Sequence, residues 1–176
     1  MAISVAVPVG QKTADALIEK LVPRIEALKV GPYTGGNDVD YGPVITQASK
    51  DRINGLIASG VEQGANLVVD GRDFELQGYE DGFFVGPSMF DNVTKDMDIY
   101  KEEIFGPVLS QVRAGSYEEA LDLVIDNPYG NGTAIYTADG DTARDFAHRV
   151  NVGMVGINFP ITSRTFSLKV SRSSSS

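Results

Sequence analysis

Tyr100-Lys-Glu-Glu-Ile-Phe-Gly-Pro-Val108 sets two carboxylates and an aromatic ring against a Gly-Pro turn, and no other stretch combines charge, ring and breaker so tightly. Ile104 and Phe105 favour burial, whereas Glu102 and Glu103 favour water. A segment that holds both beside Gly106-Pro107 is expected at a rim, where one carboxylate points into a cleft and the ring forms its wall. Glu103 and Phe105 lie two apart, so an extended backbone would put them on one face. Such a face suits a ligand with a flat ring and a pair of hydroxyls, because a carboxylate accepts from both hydroxyls while the aromatic packs on the ring. From spacing alone the same residues also describe a charged entry into a buried strand.

Upstream, the β-branched run Ile3 to Val9 predicts a strand. Ala14, Leu17, Ile18, Leu21, Val22, Ile25 and Leu28 then recur at helical spacing and form a core stripe, with Pro23 predicting a kink or a nearby break. Gly31 to Asp40 is a turn-rich loop. Its Asp38 and Asp40 resemble the start of a calcium loop, but the later Gly and terminal Glu are missing, so no metal is assigned. Thr46 is placed to cap a helix from Gln47 with Ile53, Leu56, Ile57 and Val61 inward, and Gly64 to stop it. Leu67 to Val69 and Phe83 to Val85 are expected as short strands. Asp91 to Asp98, with three acids and one Lys, is expected as a solvated connection.

Downstream, Val108 to Val112 continues as a strand, and Ser116-Tyr-Glu-Glu119 reads as a capping box for a helix with Ala120, Leu121, Val124 and Ile125 inward. Asn127 to Gly132 is loop by its breakers. Gly130 and Gly132 lack the third glycine of a dinucleotide loop and precede a strand, so no phosphate site is assigned to them. Thr133 to Thr137 is the expected strand, Asp141 to Val150 a helix with Ala143, Phe146, Ala147 and Val150 inward, and Val152 to Asn158 a final strand. His148, the single histidine, has no Ser or metal-ligand neighbour in sequence and reads as a surface or rim residue. Strands alternating with helices predict an α/β fold, a three-layer α/β/α arrangement around a mostly parallel sheet. No repeat or interior linker breaks the chain, so one domain is expected.

The chain has 176 residues, 42% hydrophobic and 22% charged, with a formal net charge of -9. That length allows about 70% of the unfolded surface to be buried, and the composition argues against wholesale disorder. The acidic balance argues against nucleic acid and anionic membranes as partners. No apolar run is long enough to span a bilayer, and Met1-Ala-Ile-Ser-Val-Ala-Val-Pro8 lacks the basic start of a signal peptide. A cytoplasmic or organelle-matrix location is therefore expected, and the sequons at Asn92 and Asn131 are chance matches. Cysteine is absent, which removes disulfides, thiolate metal sites and a cysteine nucleophile from these residues.

Glu102-Glu103-Ile104-Phe105-Gly106-Pro107 resembles the motif of the aldehyde dehydrogenase superfamily in which the second Glu holds the nicotinamide ribose and the Phe lies beside the nicotinamide. Tyr41-Gly-Pro-Val44, Phe83-Phe-Val-Gly-Pro87 and Asn127-Pro-Tyr-Gly130 resemble further stretches of its catalytic domain, in order. Met1-Ala-Ile-Ser4, Gly130-Asn-Gly-Thr-Ala-Ile-Tyr-Thr137 and Val152-Gly-Met-Val-Gly-Ile-Asn158 look most like the coenzyme A-acylating methylmalonate-semialdehyde dehydrogenases. The resemblance implies that Glu103 and Phe105 bind NAD and that Asn158 lines the substrate approach. It implies no catalytic residue within the chain, since the family nucleophile is a cysteine immediately before the residue matching Met1. In the complete enzyme it implies thiolate attack on a semialdehyde, hydride transfer to NAD and passage of the acyl group to coenzyme A with loss of carbon dioxide.

The resemblance thus makes residues 1–160 a catalytic-domain fragment, inactive alone, of a homo-oligomeric enzyme in valine or inositol breakdown. Residues 161–176, ending in Ser173-Ser-Ser-Ser176, depart from the family and read as an alternative or appended ending that cannot order itself. Within it, Thr165 to Val170 alternates and is able to pair with an open sheet edge. A non-catalytic interaction module and a fragment of a non-acylating aldehyde dehydrogenase are the alternative readings.

Overall fold

In the computed structural model, which describes residues 5–161, three of the four strand pairings are parallel. The residues form two units that divide between Tyr129 and Gly130. In the first, strands β1 (Val5–Ala6), β2 (Asn66–Val69), β3 (Ser88–Asp91) and β4 (Val108–Gln111) lie in the order β1-β4-β3-β2. β1 and β3 both run parallel to β4, with Val5 opposite Ser110 and Ser88 opposite Val108. β2 is antiparallel to β3 and carries an irregularity between Leu67 and Val69. Helices α1 (Gln11–Glu26) and α2 (Gln47–Glu62) both fall between β1 and β2, α3 (Asp98–Lys101) between β3 and β4, and α4 (Tyr117–Ile125) after β4, while Tyr33–Asp38 forms a 3-10 turn.

Local chemistry sets the helix ends. Thr46 accepts from the amide of Ser49 at 3.1 Å and Ser116 from that of Glu119 at 3.2 Å, as their positions predict. Glu119 reaches back to the amide of Gly115. Gly64, at φ 94°, ends α2. Its amide bonds to the carbonyl of Val61 and that of Ala65 to Gly60, a Schellman pair that satisfies carbonyls the helix leaves free. Pro23 lies inside α1, which ends three residues later at Glu26, near the break its missing donor predicts.

The core of this unit gathers Ile53 and Ile57 of α2, Phe90 of β3, Ile99 of α3, Val108 of β4 and the loop residues Val85 and Ile104. Helical periodicity misplaces a few residues. On α2 the buried line runs Ile53, Ile57, Gly60, and Val61 is exposed. A Cβ on Gly60 would lie 2.8 Å from Ile99, so glycine is what lets α3 approach. Ile125, the last residue of α4, is also exposed, as is Leu28 beyond the end of α1, where only Ala14 is fully buried.

Two sequence expectations fail here. Phe83 to Val85 is not a strand: Pro87 cannot donate to a ladder, and the strand begins after it, at Ser88. The preceding backbone is bonded irregularly instead, Val44 to the carbonyl of Phe83 and Gly86 to that of Gly71. This brings the Tyr41–Val44 and Phe83–Pro87 stretches together, and Tyr41 adds a bond from its hydroxyl to the carbonyl of Val85. Asp91 to Asp98 is not simply solvated either. Val93 and Met97 belong to the core, and Asp91 is buried with Gln111 and Arg113 as its partners. A cation supplied from just beyond β4 removes the reason to expose it.

In the second unit, β5 (Gly132–Ile135) and β6 (Met154–Ile157) pair in parallel and α5 (Gly140–Arg149) joins them. Both strands are shorter than predicted. Asp139 caps α5 through the amide of Thr142. Ala143 and Phe146 are buried, whereas Ala147, expected inward, is exposed on the flank of that line. His148 is exposed as expected. The Thr165 to Val170 segment lies outside the described residues.

Candidate cofactor-binding site

The loop between α3 and β4 is built from both ends. At its start, Asp98 receives hydrogen bonds from Ser59 at 2.8 Å and Gln63 at 2.7 Å, and its own amide donates to Gln63. These bonds from α2 hold the Asp98 carboxyl below the usual carboxylate range. Tyr100 donates to the carbonyl of Leu123 in α4. At the loop's end, Ser88 of β3 donates to the carbonyl of Pro107 at 2.8 Å. A single helical turn is thereby tied to two helices before the chain enters the sheet.

Between these anchors the side chains alternate sharply in burial. Ile104 is 3% exposed and belongs to the core, whereas Phe105, the next residue, is 79% exposed. Extended backbone gives such alternation by itself, but Phe105 also sits at φ 53°, in the left-handed region that costs a non-glycine residue about 1–2 kcal/mol. The expected extended backbone is therefore broken at Phe105, while Glu103 and Phe105 are both exposed on either side of the buried Ile104. Gly106 follows because a Cβ there would lie 2.7 Å from Ile53.

Two residues given no role by the sequence reading complete the loop. Arg52 of α2 donates to the carbonyl of Ile104 from Nη1 and to that of Glu103 from Nη2, each at 3.0 Å. The phenol of Tyr129 accepts from the amide of Glu103 at 3.3 Å. Tyr129 belongs to the Asn127-Pro-Tyr-Gly130 stretch, so the motif was a signal for it. Arg52 carries no such signal, being one cation on a polar helix face.

A model of the aldehyde dehydrogenase family matches residues 2–169. The chain belongs to the aldehyde dehydrogenase family. It is 58% identical over 161 residues to a malonate-semialdehyde dehydrogenase of Pseudomonas aeruginosa, covering 92% of this chain and 32% of that protein. It is 48% identical to the acylating, mitochondrial methylmalonate-semialdehyde/malonate-semialdehyde dehydrogenase of Bos taurus, covering 91% and 29%. Among solved structures, the chain is 66% identical, with a TM-score of 0.88, to a methylmalonate-semialdehyde dehydrogenase of Sinorhizobium meliloti complexed with NAD, covering 91% and 32%. An aldehyde dehydrogenase of Mycobacterium tuberculosis complexed with NAD+ is 30% identical with a TM-score of 0.82, covering 90% and 32%. The chain thus spans about a third of the length of these relatives. Their solved structures carry the same α/β fold across most of its residues.

Within this family fold, Glu103 and Phe105 stand together in the first unit, and Asn158 belongs to the second. Asn158 follows β6 at φ 53°. Its side chain accepts from the amide of Thr137 and donates to the carbonyl of Thr137, both at 2.9 Å, extending the β5–β6 pairing by a side chain where the backbone has turned away. Asp38 and Asp40 assemble no metal cluster: none is present among the described residues, and Asp40 accepts from the amide of Lys29. No helix among the described residues is long and apolar enough to cross a membrane.

Proposed function

We propose that the chain is the part of an NAD-dependent, coenzyme A-acylating methylmalonate- or malonate-semialdehyde dehydrogenase that grips the nicotinamide half of the cofactor. The observation that carries this reading is the exposed Glu103–Phe105 pair on a multiply anchored loop, in a chain 66% identical to an enzyme solved with NAD. Glu103 is an acceptor-only carboxylate, suited to the two hydroxyls of a ribose. Phe105 is a flat apolar surface held in water at a conformational cost, which contact with an aromatic ring would offset. NAD, when bound, supplies the hydride acceptor. The residues present fit its ribose and ring but offer no thiolate, so the nucleophile and the rest of the cofactor site belong to other residues of the complete enzyme, and this chain alone does not turn over. Location in the cytoplasm or the mitochondrial matrix, and homo-oligomeric assembly, complete the proposal.

The test has two parts. NADH production is measured with methylmalonate semialdehyde and coenzyme A, for this chain and for the full-length enzyme that contains it; turnover by the short chain would refute the proposed division of labour. In the full-length enzyme, Glu103→Gln is expected to weaken NAD binding about tenfold, the value of a charge-assisted hydrogen bond. Unchanged NAD affinity and turnover would remove Glu103 from the site.

A further inference from the structure

We infer that Arg52 is the positioning residue of the cofactor loop, setting Glu103 and Phe105 by clamping the main chain between them. The inference rests on the proposed cofactor reading of those two residues and adds to it the group that makes their geometry possible. The guanidinium of Arg52 places Nη1 on the carbonyl of Ile104 and Nη2 on that of Glu103, each at 3.0 Å. Two adjacent donors thus hold two successive carbonyls, so the peptide groups on both sides of Ile104 are held by one guanidinium. A planar fork does this; a lysine ammonium, a single point of charge, does not.

The clamp sits where the chain has most need of one. Phe105 occupies the left-handed region, and a residue in that state persists only where its surroundings over-determine it. Ile104, the residue between clamp and ring, is locked in the core, and Gly106 is pressed against Ile53, the neighbour of Arg52 on α2. One helix therefore supplies both the polar and the apolar hold. Tyr129 fixes the remaining amide, that of Glu103. The ion pair between Arg52 and Glu102, at 3.4 Å with both side chains about half exposed, adds little. Arg52 is thus tied to the loop chiefly through carbonyls, and its effect on the cofactor passes through Glu103.

The experiment compares Arg52→Lys, Arg52→Gln, Glu103→Gln and the double variant Arg52→Gln/Glu103→Gln in the full-length enzyme, reading NAD dissociation constant and kcat. It adds hydrogen exchange of the Glu103 amide, whose hydrogen Tyr129 accepts, in this chain. Arg52→Gln is expected to weaken NAD about tenfold with kcat changed less than about threefold, Arg52→Lys to fail to restore affinity, and the double variant to bind no worse than Glu103→Gln alone. Exchange of the Glu103 amide is expected to rise about tenfold in Arg52→Gln, with the β4 amides unchanged. Wild-type affinity in Arg52→Lys, multiplicative losses in the double variant, or unchanged exchange would each overturn the clamp. If Glu103→Gln binds NAD normally while Arg52→Gln still loosens the loop, the cofactor reading fails, and with it the positioning role, although the contact itself is real.

Discussion

Arg113 holds Asp91 through two hydrogen bonds, Nε to Oδ1 at 2.9 Å and Nη2 to Oδ2 at 2.7 Å, joining the segment just beyond β4 to the end of β3. Asp91 is 3% exposed. Burial alone would raise its pKa, but the bonds from Arg113, the Asn92 amide and Gln111 outweigh burial and hold it below the ordinary 3.8. A carboxyl with a lowered folded pKa contributes stability that is complete above the unfolded value and disappears as pH falls through the folded one. Asp91→Asn is therefore expected to cost about 3 kcal/mol at pH 7, since it strands a largely buried guanidinium. Asp15, 2.7 Å from Nη1, keeps the loss from being larger. The difference from the parent chain should shrink as pH drops below 3.8, which urea unfolding at several pH values would measure. A pH-independent difference would mean that the pair matters for packing and not for charge.

Phe105 gives a separation of fold from function. Its ring is 79% exposed and its φ is 53°, so the fold gains little from the ring and carries the cost of the backbone. Phe105→Gly is expected to leave the chain no less stable, with a gain of up to about 1 kcal/mol after the extra unfolded-state entropy of glycine. In the full-length enzyme the same change should weaken NAD binding. Thermal unfolding of the chain and cofactor titration of the enzyme read the two effects independently, and a clear loss of stability in the chain would show that the ring serves the fold.

How far the sequence reveals this molecule depends on how local each feature is. The caps at Thr46 and Ser116 and the stop at Gly64 are legible because each is decided within a few residues by donors and acceptors the residue itself supplies. The exposure of Glu103 and the burial of Ile104 follow from residue type in the same way, whereas a cofactor role for Glu103 and Phe105 comes from the family motif and not from their spacing. Their geometry is not legible. The turn at Phe105 is set by Ile104 entering a core built from distant elements and by Arg52, 52 residues from the carbonyl it holds. Likewise the burial of Asp91 depends on Arg113, 22 residues on, which the β3–β4 pairing brings alongside. An acid counted without its partner looks solvated.

Gly106 is required by contact and not by dihedral, as it is absent from the residues with positive φ. A methyl group there would approach Ile53 Cδ1 to 2.7 Å and two further Ile53 atoms to about 3 Å, inside a packed core. Gly106→Ala should therefore destabilise the chain by about 1–3 kcal/mol through overpacking. Ile53→Val, which removes the nearest methyl, should recover part of this in the double variant. Strictly additive losses in that cycle would place the strain elsewhere.

Asn158, expected from the family resemblance to line the substrate approach, tests whether that residue is there for the substrate or for the sheet. Its amide is committed on both sides to Thr137, and its backbone sits at φ 53°, which asparagine tolerates better than most residues. Asn158→Ala removes both bonds and strains the backbone, and is expected to cost about 2 kcal/mol. Asn158→Gly removes the bonds but accepts the dihedral, and is expected to cost about half as much. Exchange of the Thr137 amide should accelerate in both. If the anchor is the whole of its role, the full-length enzyme carrying Asn158→Gly will lose stability and keep its Michaelis constant for the semialdehyde. A raised Michaelis constant with Thr137 still protected would instead put the side chain in contact with substrate.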